Sequence, residues 1–365
     1  MNDKKRKRIS VYLKAGRKAG TPYYRFYQYF DKIDAQFEYH LMIPDKRWNA
    51  FFPIAIQSLW KKVLIFFYIY IRILWYLAKD TVRKPDCIVI SRCLINLVLP
   101  ISYKMLLRIA KRRGVKIFFD FDDQIILGRE VTRSGFDFLT DVSDCIIVGS
   151  PLLKNLVCER NQGKVVFLPT TDGDIFEKIT DDVVQKRLQS FEEEIRIVWV
   201  GTFSGLVFLK DITTALELFA EYQNKKVILT VVCDAPLDYH SKYFKLENIR
   251  WTHQAAIDAM LSVHVGIMPL KDTEGNRGKC SFKLIQYLSA GLPIVGTTVG
   301  MNKLVLKDNV GKGVETNDAG LWLDALKSVT MDEKVWKFLS VNALKEWKNY
   351  YGFERNLKEW TLLLD

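Results

Sequence analysis

Lys279, Lys283 and Gln286 follow one another at i, i+4 and i+7 late in the chain. That spacing predicts a helix carrying two ammonium groups and an amide on one face. Leu284, Ile285 and Leu288 fall elsewhere around it and are predicted to be buried. Gly291-Leu-Pro293 predicts the stop, and a buried strand follows. A cationic face at a helix start suits a diphosphate, because free N–H groups and the helix dipole add to the lysine charge.

A second group of residues lies upstream, in Val200-Gly-Thr-Phe-Ser-Gly205. Gly201 and Gly205 let the backbone come close to a ligand, and Thr202 and Ser204 add hydroxyls. Lys210 follows near a helix start. The turn is neither a Walker loop nor a Gly-x-Gly-x-x-Gly fingerprint, and alone it reads equally as a strand-to-helix connection. Both elements follow strands of one domain, so they are expected to converge on one diphosphate. Lys279 and Lys283 are then the catalytic candidates, neutralising charge on a diphosphate with help from Lys210. This reading requires no metal and no bound cofactor. Four isolated histidines agree with it.

Asp120-Phe-Asp-Asp123 ends an earlier strand. Asp122 there could activate an acceptor hydroxyl as a third catalytic candidate, with Asp123 binding the acceptor. The same acids could equally cap the next helix. Arg25, in an aromatic helical stretch, and Arg92, after Ser91, could contact a phosphate-bearing acceptor. Trp251 and His253 follow a short strand; they either flank a nucleotide base or pack a loop.

Strands must present these groups at their carboxyl ends. Apolar runs alternate with helical segments at 9–13, 86–91, 115–121, 144–149 and 164–168, and again at 195–200, 227–233, 263–269 and 293–297. Strands apolar throughout, separated by helices, predict α/β architecture with parallel sheet covered on both faces. The polar, acidic stretch 170–194 reads as an interdomain linker. The expected division is a Rossmann-like domain over 1–175, a second over 195–345, and a helix over 346–365 crossing back to the first. Two such domains would face each other across a cleft.

The chain has 365 residues, 49% hydrophobic and 26% charged, with net charge +12. These values exclude a disordered chain and fit two cores. Residues 1–20 hold eight Lys/Arg against Asp3. The run 4–8 suits an anionic membrane or nucleic acid, or is a solvated terminus. No signal-peptide core follows it, so export is not expected. The 16 residues 63–78 are apolar or aromatic except Arg72, short of the about 18–20 needed to span a bilayer. Segment 51–79 reads as an interfacial helix, as a helix packed on the first sheet, or as both. Cys87, Cys145 and Cys233 lie in apolar runs and read as reduced core thiols.

The stretch 284–295 resembles the second-domain signature of GT-B glycosyltransferases, specifically the family 4 group that builds bacterial surface polysaccharides. The likeness extends to 200–210, 263–270, 147–154 and 168–172. It implies transfer of a sugar from a nucleotide-sugar to a lipid-linked or growing glycan, with retained anomeric configuration. It further implies a cytoplasmic enzyme on the inner face of an anionic cell membrane, with no nucleic-acid partner. The family's Glu-x7-Glu is absent: Gln286 stands at its second position, and Asp272 or Glu274 could supply the acid to the sugar hydroxyls. The family's arginine after the strand glycine is Thr202. These departures leave open a degenerate GT-B scaffold.

Overall fold

The computed structural model describes residues 6–17, 19–51 and 58–365. Lys4 and Lys5 of the basic run, and 52–57 of the 51–79 segment, lie outside them. The chain divides into two compact units, Met1–Pro169 with Asn356–Asp365, and Thr170–Arg355.

In the first unit, β1 (Arg8–Leu13), β2 (Gln36–Leu41), β3 (Cys87–Ser91), β4 (Lys116–Phe121), β5 (Cys145–Val148) and β6 (Val165–Phe167) form a parallel sheet ordered β2-β1-β3-β4-β5-β6. β3 is buried on both faces, which is why it reads as a continuous apolar run. β2 is an edge strand, Gln-Phe-Glu-Tyr-His-Leu, with only His40 buried. Its polar alternation lacks the apolar signature of its neighbours and hid it from the sequence reading.

Helices α1 (Leu59–Arg83), α2 (Ile101–Arg112) and α3 (Arg133–Val142) belong to this unit. α1 buries Ile65, Ile69, Ile73 and Leu77, a stripe of period four that packs into the core. Tyr70 of α1 stacks on Tyr103 of α2 at 5.5 Å between ring centroids, and the Tyr103 hydroxyl donates to the Tyr70 carbonyl at 2.8 Å. No described helix is long and apolar enough to cross a membrane.

In the second unit, β7 (Glu194–Val200), β8 (Lys226–Cys233), β9 (Lys245–Arg250), β10 (Val265–Met268), β11 (Ile294–Thr297) and β12 (Gly311–Val314) form a parallel sheet ordered β12-β11-β10-β7-β8-β9. Its longer helices are α4 (Asp181–Phe191), α5 (Thr213–Tyr222), α6 (His253–Leu261), α7 (Phe282–Ser289), α8 (Ala319–Val329) and α9 (Glu333–Glu346).

The segment read as a linker contains α4, capped by the Thr180 side chain. Leu188 and Phe191 join the second core. Arg187 is 1% exposed and donates to the carbonyls of Met260, Leu261 and Ala290. One guanidinium thus satisfies the last carbonyls of α6 and the C-cap of α7. A polar composition misled the reading, because Asp181, Asp182 and Lys186 of α4 face solvent while Arg187, Leu188 and Phe191 are buried.

After α9, a π-helical turn spans Trp347–Tyr351, and Gly352 interrupts the helix before α10 (Phe353–Leu364). The end of α10 returns to the first unit. Trp360 is fully buried there against Phe26 and Phe30, and Asn356 donates to the Tyr29 hydroxyl and the Pro169 carbonyl. Cys87, Cys93, Cys145 and Cys233 are free thiols buried in the structure, and Cys158 is an exposed one.

Candidate functional site

In the second sheet the chain runs from β7 to β8 and β9 on one side, then crosses back to place β10 on the other side of β7. Such a reversal opens a crevice at the strand carboxyl ends. The Gly201 turn leaves β7 there, and 269–281 leaves the neighbouring β10. A methyl group on Gly201 would lie 2.5 Å from a Trp199 ring carbon and 2.9 Å from Lys283 Cε. Glycine is therefore required, and Lys283 reaches the turn. The Lys283 ammonium stands 5.6 Å from the Trp199 ring centroid.

Tyr287, one turn after Lys283, sets this geometry. Its ring fills the space above Gly266 of β10, and its hydroxyl accepts the Val200 N–H at 2.9 Å. Burial pushes the phenol well above its ordinary value, so it remains protonated. With Tyr287 fastened to the end of β7, the i−4 position is carried to Gly201. The sequence signal was the i, i+4 pair Lys283 and Tyr287, to whose aromatic member the sequence reading gave no role.

Lys279 is not on this helix. α7 begins at Phe282 after Ser281, whose φ is 54°, and the Lys279 N–H bonds to the Asn276 carbonyl in the preceding loop. The single face expected of Lys279, Lys283 and Gln286 is therefore corrected, because the left-handed residue breaks the helical repeat before it reaches Lys279. Gln286 is 2% exposed and donates from Nε2 to Asp172 Oδ2 at 2.9 Å. Asp172, fully buried, also accepts the Asp174 N–H. Asp272 is exposed and forks onto Arg277, which holds its carboxyl below the usual range. Glu274 is exposed at the first turn of a short helix.

Thr202 and Ser204 are exposed and share a hydrogen bond at 3.1 Å, while the Phe203 N–H is held by Asp234 at 2.7 Å. Lys210 is exposed at the last position of the short helix Leu206–Lys210. Trp251 is half-buried just past β9, its N–H on the Cys233 carbonyl. His253 opens α6, with Nε2 3.4 Å from Asp172 Oδ2. Asp172, accepting from the ring, raises the imidazole pKa above its ordinary value.

In the first unit, Arg25 is 1% exposed, pairs with Asp120 and donates to the Leu168 carbonyl. Its guanidinium neutralises a buried carboxylate, which suits a structural part better than the contact with an acceptor expected of it. Arg92 ends β3 with φ 63°. It meets Asp122 at 2.6 Å and forks onto Glu130. Burial alone would lower its pKa, but Asp122, Glu130 and Asp123 together raise it. Asp122 is thus tied into an ion pair and Asp123 accepts the Gln124 N–H within a turn; the capping alternative is corrected, because Thr132 caps the next helix, α3. Glu130 escaped the sequence reading, since no local motif marks a residue recruited from a distant loop, and Asp172 lay within the 168–172 likeness without being given a role.

The expectation of no metal is corrected. Among the described residues, two clusters have ligand atoms all within 4.8 Å of one another: Glu38, His40 and Asp80 in the first unit, and Asp172, Asp174 and His253 in the second. Each offers one imidazole nitrogen and two carboxylates, a donor set suited to zinc or another first-row divalent ion. Only the fold brings these histidines to their acids.

Residues 194–332 match the model of the family described as glycosyl transferases group 1. No curated protein sequence matches the chain. Among solved structures, the chain resembles a glycosyltransferase from Rickettsia africae ESF-5, at 10% identity and TM-score 0.66 over 98% of both chains. It resembles Anabaena Alr3699/HepE in complex with UDP-glucose, at 10% identity and TM-score 0.64 over 98% of this chain and 99% of that one. It also resembles the UDP-GlcNAc 2-epimerase of Neisseria meningitidis bound to UDP-GlcNAc, at 12% identity and TM-score 0.56 over 98% and 100%. The fold is GT-B. An epimerase among these likenesses means that a GT-B fold does not by itself name a reaction.

Proposed function

We propose that this GT-B protein is a glycosyltransferase that moves a sugar from a nucleotide-sugar donor to a lipid-linked glycan at the inner face of an anionic membrane. The observation that carries this reading is Lys283 against the Gly201 turn, at the switch point of the unit that matches the glycosyl transferase model. A fixed ammonium beside close-approaching backbone neutralises charge on a departing diphosphate without reorganising. Support for the donor class comes from the UDP-glucose and UDP-GlcNAc named with two of the similar structures.

Gln286 and Asp172 add a second element. The amide stands where related enzymes carry a carboxylate, and the carboxylate stands beside it on Asp172. The pair keeps a negative charge near this helix while Gln286 retains its amide oxygen for a hydroxyl.

Calorimetric titration of the full chain with UDP, GDP and other nucleoside diphosphates, with and without divalent ions, tests the reading. We expect saturable binding of one nucleotide class, and release of that diphosphate from its sugar conjugate. Absence of binding across the panel would overturn the proposal.

A further inference from the structure

We propose that the outward faces of α1 and α2 form the docking surface for an anionic lipid bilayer. Trp60, Leu64, Phe67, Ile71 and Trp75 of α1 are 80, 67, 54, 63 and 60% exposed. At about 100° per residue they lie opposite the buried stripe Ile65, Ile69, Ile73 and Leu77. Surface helices of water-soluble proteins carry polar residues on that side, so α1 is apolar on both faces. The neighbouring segment continues the pattern: Leu97 and Val98 before α2 and Ile101 and Met105 within it are exposed.

Charge selects the occupant. Residues 58–79 and 97–113 contain nine Lys/Arg (61, 62, 72, 79, 104, 108, 111, 112 and 113) and no Asp or Glu. Three of them turn inward: Arg72 donates to the Leu41 carbonyl, Lys79 pairs with Glu38, and Lys111 pairs with Asp144. Lys61, Arg108, Arg112 and Arg113 are exposed. An apolar stripe set among cations with no acid matches an anionic headgroup layer over hydrocarbon.

The direction of the helices gives the surface a purpose. The carbonyls of Arg83 and Lys84 meet Arg8 at the start of β1, so α1 ends at the amino edge of the sheet and begins at the carboxyl edge. Tyr70 stacks on Tyr103, eleven residues into α1 but only two into α2. At 1.5 Å per residue, α1 overshoots α2 by about 13 Å at the carboxyl edge. Trp60, Leu64 and Phe67 lie on this overshoot, and Leu97, Val98 and Ile101 lie at the same edge. Arg92 and Asp122, the residues just past β3 and β4, lie there too. Docking by this face brings them to the headgroup layer, where the phosphate and first sugars of a lipid-linked acceptor lie; this last step rests on the function proposed above.

Sedimentation of the full chain with vesicles tests the surface. One set is equimolar phosphatidylglycerol and phosphatidylcholine, the other phosphatidylcholine alone. We expect binding to the anionic set, weakened by salt, and a loss of about tenfold or more in Phe67→Glu/Ile71→Glu. Both positions are exposed, so thermal unfolding should match the parent. Lys61→Glu/Arg112→Glu should lose binding to the anionic set without altering unfolding. Parental binding by the Phe67→Glu/Ile71→Glu variant, whose basic terminus is intact, would overturn the proposal. So would a parent that ignores both vesicle sets and forms a dimer broken by these substitutions. Nucleoside diphosphate titration on the same preparations separates the two claims. Nucleotide binding without vesicle binding sinks this surface alone; vesicle binding without nucleotide binding sinks the enzymatic reading.

Discussion

Replacing Lys283 with Met removes one charge and keeps the stem that crosses Trp199. An ammonium about 4 Å from a phosphate oxygen contributes about 4 kcal/mol at an effective dielectric constant of about 20. Lys283 is half-buried, and solvent reduces that figure. Removing a single preorganised donor from a developing oxyanion costs about 2.7–4 kcal/mol, so about 3 kcal/mol is a consistent expectation. That is roughly a hundredfold in nucleoside diphosphate affinity or in turnover. Met fills the volume next to Gly201, and Tyr287 still fastens α7 to β7, so the unfolding midpoint should stay with the parent. Isothermal titration with the preferred nucleoside diphosphate, next to a thermal melt, measures both quantities. Parental affinity in a folded Lys283→Met protein would refute the electrostatic argument. Equal losses of stability and affinity would show that Lys283 is a packing residue.

Arg187→Met should destabilise the second unit by about 3 kcal/mol or more, since three carbonyls lose a charged donor worth about 1.5–3 kcal/mol per bond. Denaturant unfolding would show this as a lowered midpoint, and an unchanged midpoint contradicts the role given to the guanidinium. Burial drives the pKa of His264 down to about 4, and its ring accepts the Arg196 N–H. The unfolded state takes up a proton near pH 6.5 that the native state refuses until about pH 4, so stability should fall by about 3 kcal/mol across that interval and level off below it. His253, whose pKa is raised by Asp172, acts in the opposite sense: its contribution is full below about pH 6.5 and fades as pH rises through the folded value. Melting temperature against pH, in the parent and in His264→Asn, checks the first slope, which the variant should flatten.

The apolar runs by themselves marked most strands of both parallel sheets, because a strand covered on two faces must be apolar along its length. β3 and β10 were legible for that reason. β2 was not, since an edge strand alternates like many loops. The Gly201 turn and Lys283 were also legible as candidates, as local types at local spacing. Their meeting was decided by Tyr287, which spans β7 and β10 and depends on strand order that no local pattern encodes. Tertiary structure likewise decided that Lys279 leaves the helix, that Gln286 meets Asp172, and that Arg92 is held by Glu130. It alone gathered histidines and carboxylates into two clusters capable of holding a metal. Local propensity fixes what an element is. Which charged groups share an environment depends on contacts between residues distant in sequence, and those exist only once the sheets have chosen their order.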